Sequence, residues 1–463
     1  MSEINRKAVS VIGMGYVGLC LSASLAKLGT PTICVDVSEK RVEMIKAGKA
    51  PIHEDQLPEL LEMGVSKGLI TATTNAKEAI LNSDITFLCV GTPTSDSGYI
   101  DLSQIHTASH TIGETLKEKS TYHAISVKST VIPGTTDSHV IPIIEKESGK
   151  KAGQDFGVCM TPEFLREGAA IYDFLNPDKI VIGALDDSSY NAFYEVFQDF
   201  HESVIGKDIF LRCDLRTAEM IKYATNSFLA TKVSFINEMA NLSSLFGVDV
   251  KIVAHALGMD NRISDKYLNA GLGFGGSCFP KDVKALLSAG IEAGYKSKML
   301  DGTLLVNKDQ PYYPITMLKN EIGEVKGKTI CLLGLSFKPE TDDIRSAPSI
   351  KIAKKLLEEG ANLKVYDPVA MDNFKRESGI KNDAPINYCD SALDALRDSE
   401  GIILVTEWEE FVKLKPNDFK QTMKDPIVID GRRVLDPNTF ENTGVTLKAI
   451  GYSKSRKFAP KQK

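Results

Sequence analysis

Short apolar runs separated by helix-like stretches set the rhythm of the first 200 residues. AVSVI at 8–12 reads as a buried strand, GMGYVG turns into an apolar helix to about Lys27, and TICVDV at 32–37 reads as the next strand, completing a β-α-β unit. Further apolar runs at 85–90, 124–127, 157–160 and 179–183 alternate with helical patterns. Strands spaced by helices imply a parallel, doubly wound sheet. From about Arg212 to Leu257 the period changes to three and four residues, predicting a long helix followed by a helical patch. After about residue 325 the alternation returns, with strands at 328–338, 363–368, 401–406 and 426–431 and a helix across 349–359. The second half faintly echoes the first, since both second strands end on an aspartate, Asp36 and Asp367.

The expected fold is therefore α/β, with two Rossmann-like doubly wound domains joined by a long central helix and a helical region. The expected boundaries are 1–205 for a dinucleotide-binding domain, 206–310 for the helical region, 311–450 for a second nucleotide-binding domain, and 451–463 for a basic flexible tail. Composition changes this picture little. The 463 residues are 43% hydrophobic and 25% charged, which excludes disordered and fibrous classes. The formal net charge of −6 offers no global positive field, so no nucleic-acid partner is expected. No segment is long and apolar enough for a membrane span, and the glycines inside the first apolar run argue against a signal peptide. Eight scattered cysteines without a C-x-x-C pair suggest a reducing, cytoplasmic setting. His106 and His110 lie four apart without an evident third ligand, so no metal is expected.

Three segments carry chemistry. Gly13, Gly15 and Gly18 form G-x-G-x-x-G between a strand and a helix, where glycines allow a tight turn, approach of a pyrophosphate, and close helix packing. Asp36, 18 residues later, is placed for ribose hydroxyls and would repel a 2′-phosphate, which favours NAD over NADP. YLNAGLGFGGSCFPKDV at 267–283 presents Cys278 after a glycine-rich loop and beside Lys281 and Asp282, a setting for a nucleophilic thiolate. In TPEFLREG, Glu163 and Glu167 would share one face if the segment is helical, able to divide acid-base work or merely to face solvent. Lys222 and Asn226 are four apart on the expected long helix, where a buried ammonium would need an anion, from a substrate or from an internal salt bridge.

These motifs resemble the UDP-glucose/GDP-mannose dehydrogenase family over nearly the whole chain. The resemblance runs from VIGMGYVGL through KSTVIPGTT, TPEFLREGAAIYDFLNPDKIVIG, AEMIKYATNSFLATKVSFINEMA, GFGGSCFPKDV and GLSFKPETDDIRSAPS to IDGRRVLD. It implies an NAD-dependent four-electron oxidation of UDP-glucose to UDP-glucuronate, with the same chemistry on GDP-mannose or a UDP-N-acetylhexosamine as the alternative. It also implies a homodimer or a higher even oligomer built on the central helices. A two-electron β-hydroxyacid dehydrogenase would need neither Cys278 nor a second nucleotide-binding half. A non-catalytic nucleotide-sugar sensor is disfavoured because each matched catalytic position holds a competent residue.

By resemblance, Cys278 attacks the C6 aldehyde, Lys222 and Asn226 manage the C6 oxygen, and Asp282 holds the proton network. Glu163 serves acid-base work in thioester hydrolysis, with Thr130 positioning water. Gly13, Gly15, Gly18, Asp36, Arg41, Thr92, Thr130, Glu167 and Arg345 match the cofactor side. Phe164, Leu165, Lys222, Asn226, Tyr267, Gly273, Phe279, Phe337, Lys338 and Arg432 match the substrate side, and Arg262 matches an arginine that reaches into a neighbouring subunit's site. Tyr267 departs from relatives that have Phe there and adds a hydroxyl that would alter uracil contacts or sugar preference.

Overall fold

The computed structural model describes residues 6–95, 97–198, 200 and 208–453. The expected 205/206 boundary and most of the basic tail, from residue 454 on, lie outside the described residues. By compactness the chain divides into residues 1–225 and 226–463.

The first unit is built on β1 (Val9–Ile12), β2 (Thr32–Val35), β3 (Ile70–Thr73), β4 (Ile85–Leu88), β5 (His123–Val127), β6 (Phe156–Met160), β7 (Ile180–Ala184) and β8 (Phe210–Cys213). They form one sheet in the order β3-β2-β1-β4-β5-β6-β7-β8. The strand order reverses on either side of β1, and at such a switch point the carboxyl ends of the strands flank a ligand crevice. β1 and β4 are wholly buried, so their side chains are apolar throughout or, as with Ser10 and Thr86, satisfied by each other at 2.7 Å. The helix Tyr16–Lys27 packs a continuous buried run from Gly18 to Ala26 onto this sheet.

One expectation fails here. β7 pairs with β6 antiparallel, through Cys159 with Ala184 and Met160 with Gly183, and β8 then runs parallel to β7. Returning the chain for a parallel strand requires a crossover of a dozen or more residues, usually helical. The connection after β6 instead uses residues 161–169 as an irregular loop and holds only a six-residue helix, Ala170–Leu175, about 9 Å long.

The second unit carries β9 (Thr329–Leu333), β10 (Asn362–Tyr366), β11 (Ile386–Tyr388), β12 (Gly401–Leu404), β13 (Ile427–Asp430) and β14 (Thr446–Ala449), all parallel, in the order β11-β10-β9-β12-β13-β14. The same reversal about the first strand recurs, so the echo in sequence is an echo in topology. A 32-residue helix, Leu215–Phe246, leads into this unit and is followed by Val250–Gly258, as the three- and four-residue period predicts. No helix among the described residues is long and apolar enough to cross a membrane. His106 stacks on His139 at 5.3 Å and His110 reaches Glu147 at 3.3 Å; no group of three metal-ligating side chains occurs among the described residues.

Candidate active site

Two of the three glycines of the first turn meet steric constraints, and the other leaves the backbone open. Gly13 has φ +99°, and a side chain there would strike the Cys89 backbone at 2.8 Å. A Cβ on Gly18 would lie 2.0 Å from the Gly13 carbonyl, so this glycine permits the helix to sit on the strand. Gly15 has no neighbour within 4 Å of its would-be side chain, leaving the backbone open to a ligand. Asp36 Oδ2 accepts from Met14 N at 2.9 Å and from Arg41 Nη1 at 3.0 Å, while Oδ1 accepts from Ser38 N at 2.9 Å. Each carboxylate oxygen has two lone pairs, so Oδ1 keeps acceptor capacity for a ribose hydroxyl. This turn fits a dinucleotide. Thr92 Oγ1 donates to the Thr130 carbonyl at 2.9 Å, joining the loops after β4 and β5.

TPEFLREG is not a helix. Residues 161–166 are irregular, so Glu163 and Glu167 do not share a helical face. Pro162 disfavours the helical region at Thr161, and Glu163 Oε2 closes a local turn by accepting from Leu165 N at 2.6 Å. The other oxygen, Oε1, accepts from Lys222 Nζ at 2.7 Å, in an ion pair only 8% and 3% exposed. Burial pushes the Glu163 carboxyl up, but the Lys222 ammonium, the Leu165 N–H and the charge of Lys128 outweigh it and hold the group below the ordinary carboxylate range. Of the two ways of satisfying a buried Lys222, the internal pair is the one present. Lys222 Nζ also lies 5.6 Å from the centroid of the Phe164 ring, and Leu165 packs into the core beneath the sheet.

In the second unit, Cys278 occupies the N-cap of the helix Phe279–Glu292, the end whose partial positive charge favours an anion. Its sulfur is 3.5 Å from Ser277 Oγ. Asp282 lies one turn along this helix and is 1% exposed; Oδ1 accepts from Lys281 Nζ and Oδ2 from Asn226 Nδ2, both at 2.6 Å. The sequence places Lys281 beside the thiol, but its ammonium pairs with Asp282.

The loop before Cys278 is clamped by amides. Gly271 N donates to Asn237 Oδ1 and its carbonyl accepts from Gln310 Nε2, at 2.7 and 2.8 Å. Asn307 accepts from Phe274 N at 2.6 Å and donates to its carbonyl at 3.0 Å. Gly273 has φ +91° and a side chain there would collide with Asn307 Oδ1 at 2.4 Å. Gly276 N donates to the Arg345 carbonyl at 2.8 Å, while the Arg345 guanidinium grips Asp343 with both Nε and Nη2.

Phe337 lies against Gly276, and Lys338 Nζ stands 5.5 Å from its ring centroid. Tyr267, held at φ +63°, faces Phe279 at 6.1 Å. Of the two arginines in IDGRRV, Arg433 is buried and donates to Asp249 at 2.7 Å, whereas Arg432 runs beside Gly271 and donates to the carbonyls of Val405 and Phe337. Arg262 is well exposed, its guanidinium held by Asp260 on the same turn.

Three patterns specific to one family match successive stretches of the chain: an NAD-binding domain over residues 7–201, a central domain over 216–309 and a UDP-binding domain over 331–437. The chain belongs to the UDP-glucose/GDP-mannose dehydrogenase family. Relatives in this family include a UDP-glucose 6-dehydrogenase of Haloferax volcanii, 43% identical over 92% of this chain and 97% of its own. A UDP-glucose 6-dehydrogenase of Bacillus subtilis is 39% identical over 99% and 96% of the two chains. A solved UDP-glucose dehydrogenase from Pyrobaculum islandicum shares 35% identity and a TM-score of 0.89, covering 98% of this chain and 99% of that one.

Against this family frame, the sequence alone leaves four polar side chains unremarked. They are Lys128, Lys179, whose Nζ is 4.2 Å from the Phe164 ring centroid, Asn307, and Glu219, which accepts from Thr136 N at 2.8 Å and Gly134 N at 2.5 Å. The buried Asn307 and the helix-borne Glu219 bond partners 33 and 83 residues away in sequence, so no local spacing announces them.

Proposed function

We propose that this family member catalyses the NAD-dependent four-electron oxidation of UDP-glucose to UDP-glucuronate, with Cys278 as the nucleophile. The observation that carries the reading is the thiol at a helix N-cap, one turn from a buried Asp282 whose two oxygens are occupied by Asn226 and Lys281. NAD, when bound, would accept one hydride, so two molecules of NAD would be used in turn; the residues that would hold each are Gly13, Gly15, Gly18, Asp36, Arg41, Thr92, Thr130, Glu167 and Arg345.

At the alcohol stage, the C6 hydroxyl proton passes to a water in the network that Asp282 holds, Lys222 stabilises the charge developing on the oxygen, and Asn226 fixes that oxygen. The Cys278 thiolate then adds to the aldehyde carbon, forming a C–S bond and a thiohemiacetal. Loss of the second hydride leaves a thioester. Glu163, kept ionised by its surroundings, takes a proton from water positioned by Thr130; the hydroxyl adds to the carbonyl, the C–S bond breaks, and the carboxylate and thiolate are released. Asp282 holds the proton network around the sulfur. Phe164, Leu165, Tyr267, Gly273, Phe279, Phe337, Lys338 and Arg432 bind the nucleotide sugar.

The test is stoichiometric. The expected result is two NADH formed per UDP-glucose consumed, measured at 340 nm, with GDP-mannose and UDP-N-acetylglucosamine left unoxidised. One NADH per sugar would remove the thioester stage, and turnover of another sugar nucleotide would overturn the substrate.

The working form is a homodimer. Phe228, Phe235 and Leu242 recur every seven residues on the long helix and are each more than 40% exposed, an apolar stripe suited to a second copy. A dimer also gives the exposed Arg262 a neighbour to reach. Sedimentation should return twice the 50.6 kDa chain mass; a monomer with full activity would refute both statements. The scatter of eight cysteines without a C-x-x-C pair supports a reducing, cytoplasmic setting.

A further inference from the structure

Lys128 follows β5 directly, at the carboxyl end of the first sheet. It is 4% exposed, and its Nζ donates to the Thr161 carbonyl at 3.0 Å. Three phenylalanine rings enclose it, with centroids of Phe87, Phe174 and Phe197 at 5.9, 5.6 and 5.3 Å. Ring faces attract a cation, but among the described residues no carboxylate lies within ion-pair distance of this ammonium. Burying a charge in this way is costly, and methionine or leucine would fill the same aromatic enclosure without that cost. The lysine therefore requires an explanation beyond packing.

Its surroundings supply one. Thr161, whose carbonyl it holds, is two residues before Glu163, and the Thr161 hydroxyl is fixed in turn by Ser126 Oγ at 2.6 Å. The charged and titratable groups that face Lys128 are Cys89 after β4, Glu163 after β6 and Lys222 on the long helix. Glu163 thus has one cation in direct contact, Lys222, and a second behind the turn that carries it.

We propose that Lys128 is a positioning residue for the Glu163 carboxylate, fixing the Thr161–Glu163 turn through the Thr161 carbonyl and placing a second buried positive charge beside it. The proposal rests on the acid-base reading of Glu163 given above. Burial brings the Lys128 ammonium down to about 8, with Cys89 and Glu163 opposing the fall, so the charge is present at neutral pH and fades as the medium becomes alkaline.

The experiment compares Lys128→Met, Lys128→Gln, Lys128→Arg, Glu163→Gln and the double variant Lys128→Met/Glu163→Gln as intact chains with UDP-glucose and NAD. Removing the charge should lower kcat about 10-fold, a fraction of the roughly 10²–10⁴-fold that a general base contributes, while KM for UDP-glucose stays within about 3-fold. The acidic limb of the kcat profile should move to higher pH in Lys128→Met and Lys128→Gln, because Glu163 loses a charge that favours its ionised form, and should stay in place in Lys128→Arg. The double variant should be no slower than Glu163→Gln alone, as expected when one residue acts through the other. An unmoved acidic limb in a folded neutral variant, or additive losses in the double variant, would overturn the proposal. Lys128→Gln, which keeps a donor for the Thr161 carbonyl, carries the comparison if Lys128→Met does not fold. Full activity in Glu163→Gln would instead refute the acid-base reading itself.

Discussion

Cys278→Ser should lose the second oxidation while retaining the first. The serine hydroxyl is almost wholly protonated at neutral pH, whereas a thiol is a few per cent ionised even when unassisted, and the helix N-terminus at residue 278 favours the anion further. Withdrawing hydride from an alcohol requires no nucleophile, so Lys222 and Asn226 can still serve the first step. Complete conversion should fall by at least about 10³-fold, in line with losses on removing a covalent nucleophile, and NADH formed per sugar should drop from two towards one. An aldehyde-trapping amine added to the variant should capture a C6 aldehyde that the unaltered protein does not release. Equal loss of both oxidations would contradict separate roles for the two groups, and unimpaired formation of two NADH would remove Cys278 from the chemistry.

Lys222→Met should cost activity and also invert an acid-range stability trend. Removal of a fixed charge that stabilises a developing oxyanion lowers kcat by about 10²–10³-fold. The effect on folding follows from the partner left behind. With Lys222 present, Glu163 titrates below its ordinary range, so its contribution to stability is in place above the unfolded-state value and is lost as pH falls through the folded-state one. Without Lys222 the leading influence is burial, which raises the carboxyl, and the contribution then weakens as pH climbs from the unfolded-state value through the raised folded-state value. Leaving one member of a buried pair unmatched costs about 3–5 kcal/mol. Melting temperatures between pH 4 and 7 should therefore show Lys222→Met losing more against the unaltered protein at pH 7 than at pH 4. A constant difference across that range would mean that Glu163 is not the group responsible.

The elements that sequence reveals are those whose environment is uniform along their length. β1, β4, β5 and β6 are buried on both faces and appear as runs that are apolar but for Ser10, Thr86, His123 and Ser126. The strands that escape are short and half-exposed. ITAT of β3 and TLKA of β14 have exposed positions, FLRC of β8 has none fully buried, and β11 has only three residues. The glycine fingerprint is legible because its first and third positions answer to separate steric demands within six residues, while the second leaves the backbone open. Glu163 is identifiable as a residue but not as a geometry: its helical pairing with Glu167 fails because Pro162 and the Leu165 N–H bend the segment into a turn. Lys128 is concealed because the rings that enclose it come from residues 87, 174 and 197, brought together only by folding.

The amide clamp on residues 271–276 bears on how this protein can be stabilised. Glycine-to-alanine replacement is a common route to a sturdier protein, gaining about 0.4–1 kcal/mol by narrowing the choices of the unfolded chain. Here that route is closed at three neighbouring positions, where a methyl group would meet Asn307, the Ser346 carbonyl and the Phe337 ring at 2.4, 2.6 and 2.9 Å. Ordering a backbone costs about 1–2 kcal/mol per residue, and in this loop the outlay is made once, when Asn237, Asn307 and Gln310 close on it during folding. Each arriving substrate then meets a loop already shaped. The heat tolerance of the chain and the readiness of its nucleophile are thus drawn from the same few amides.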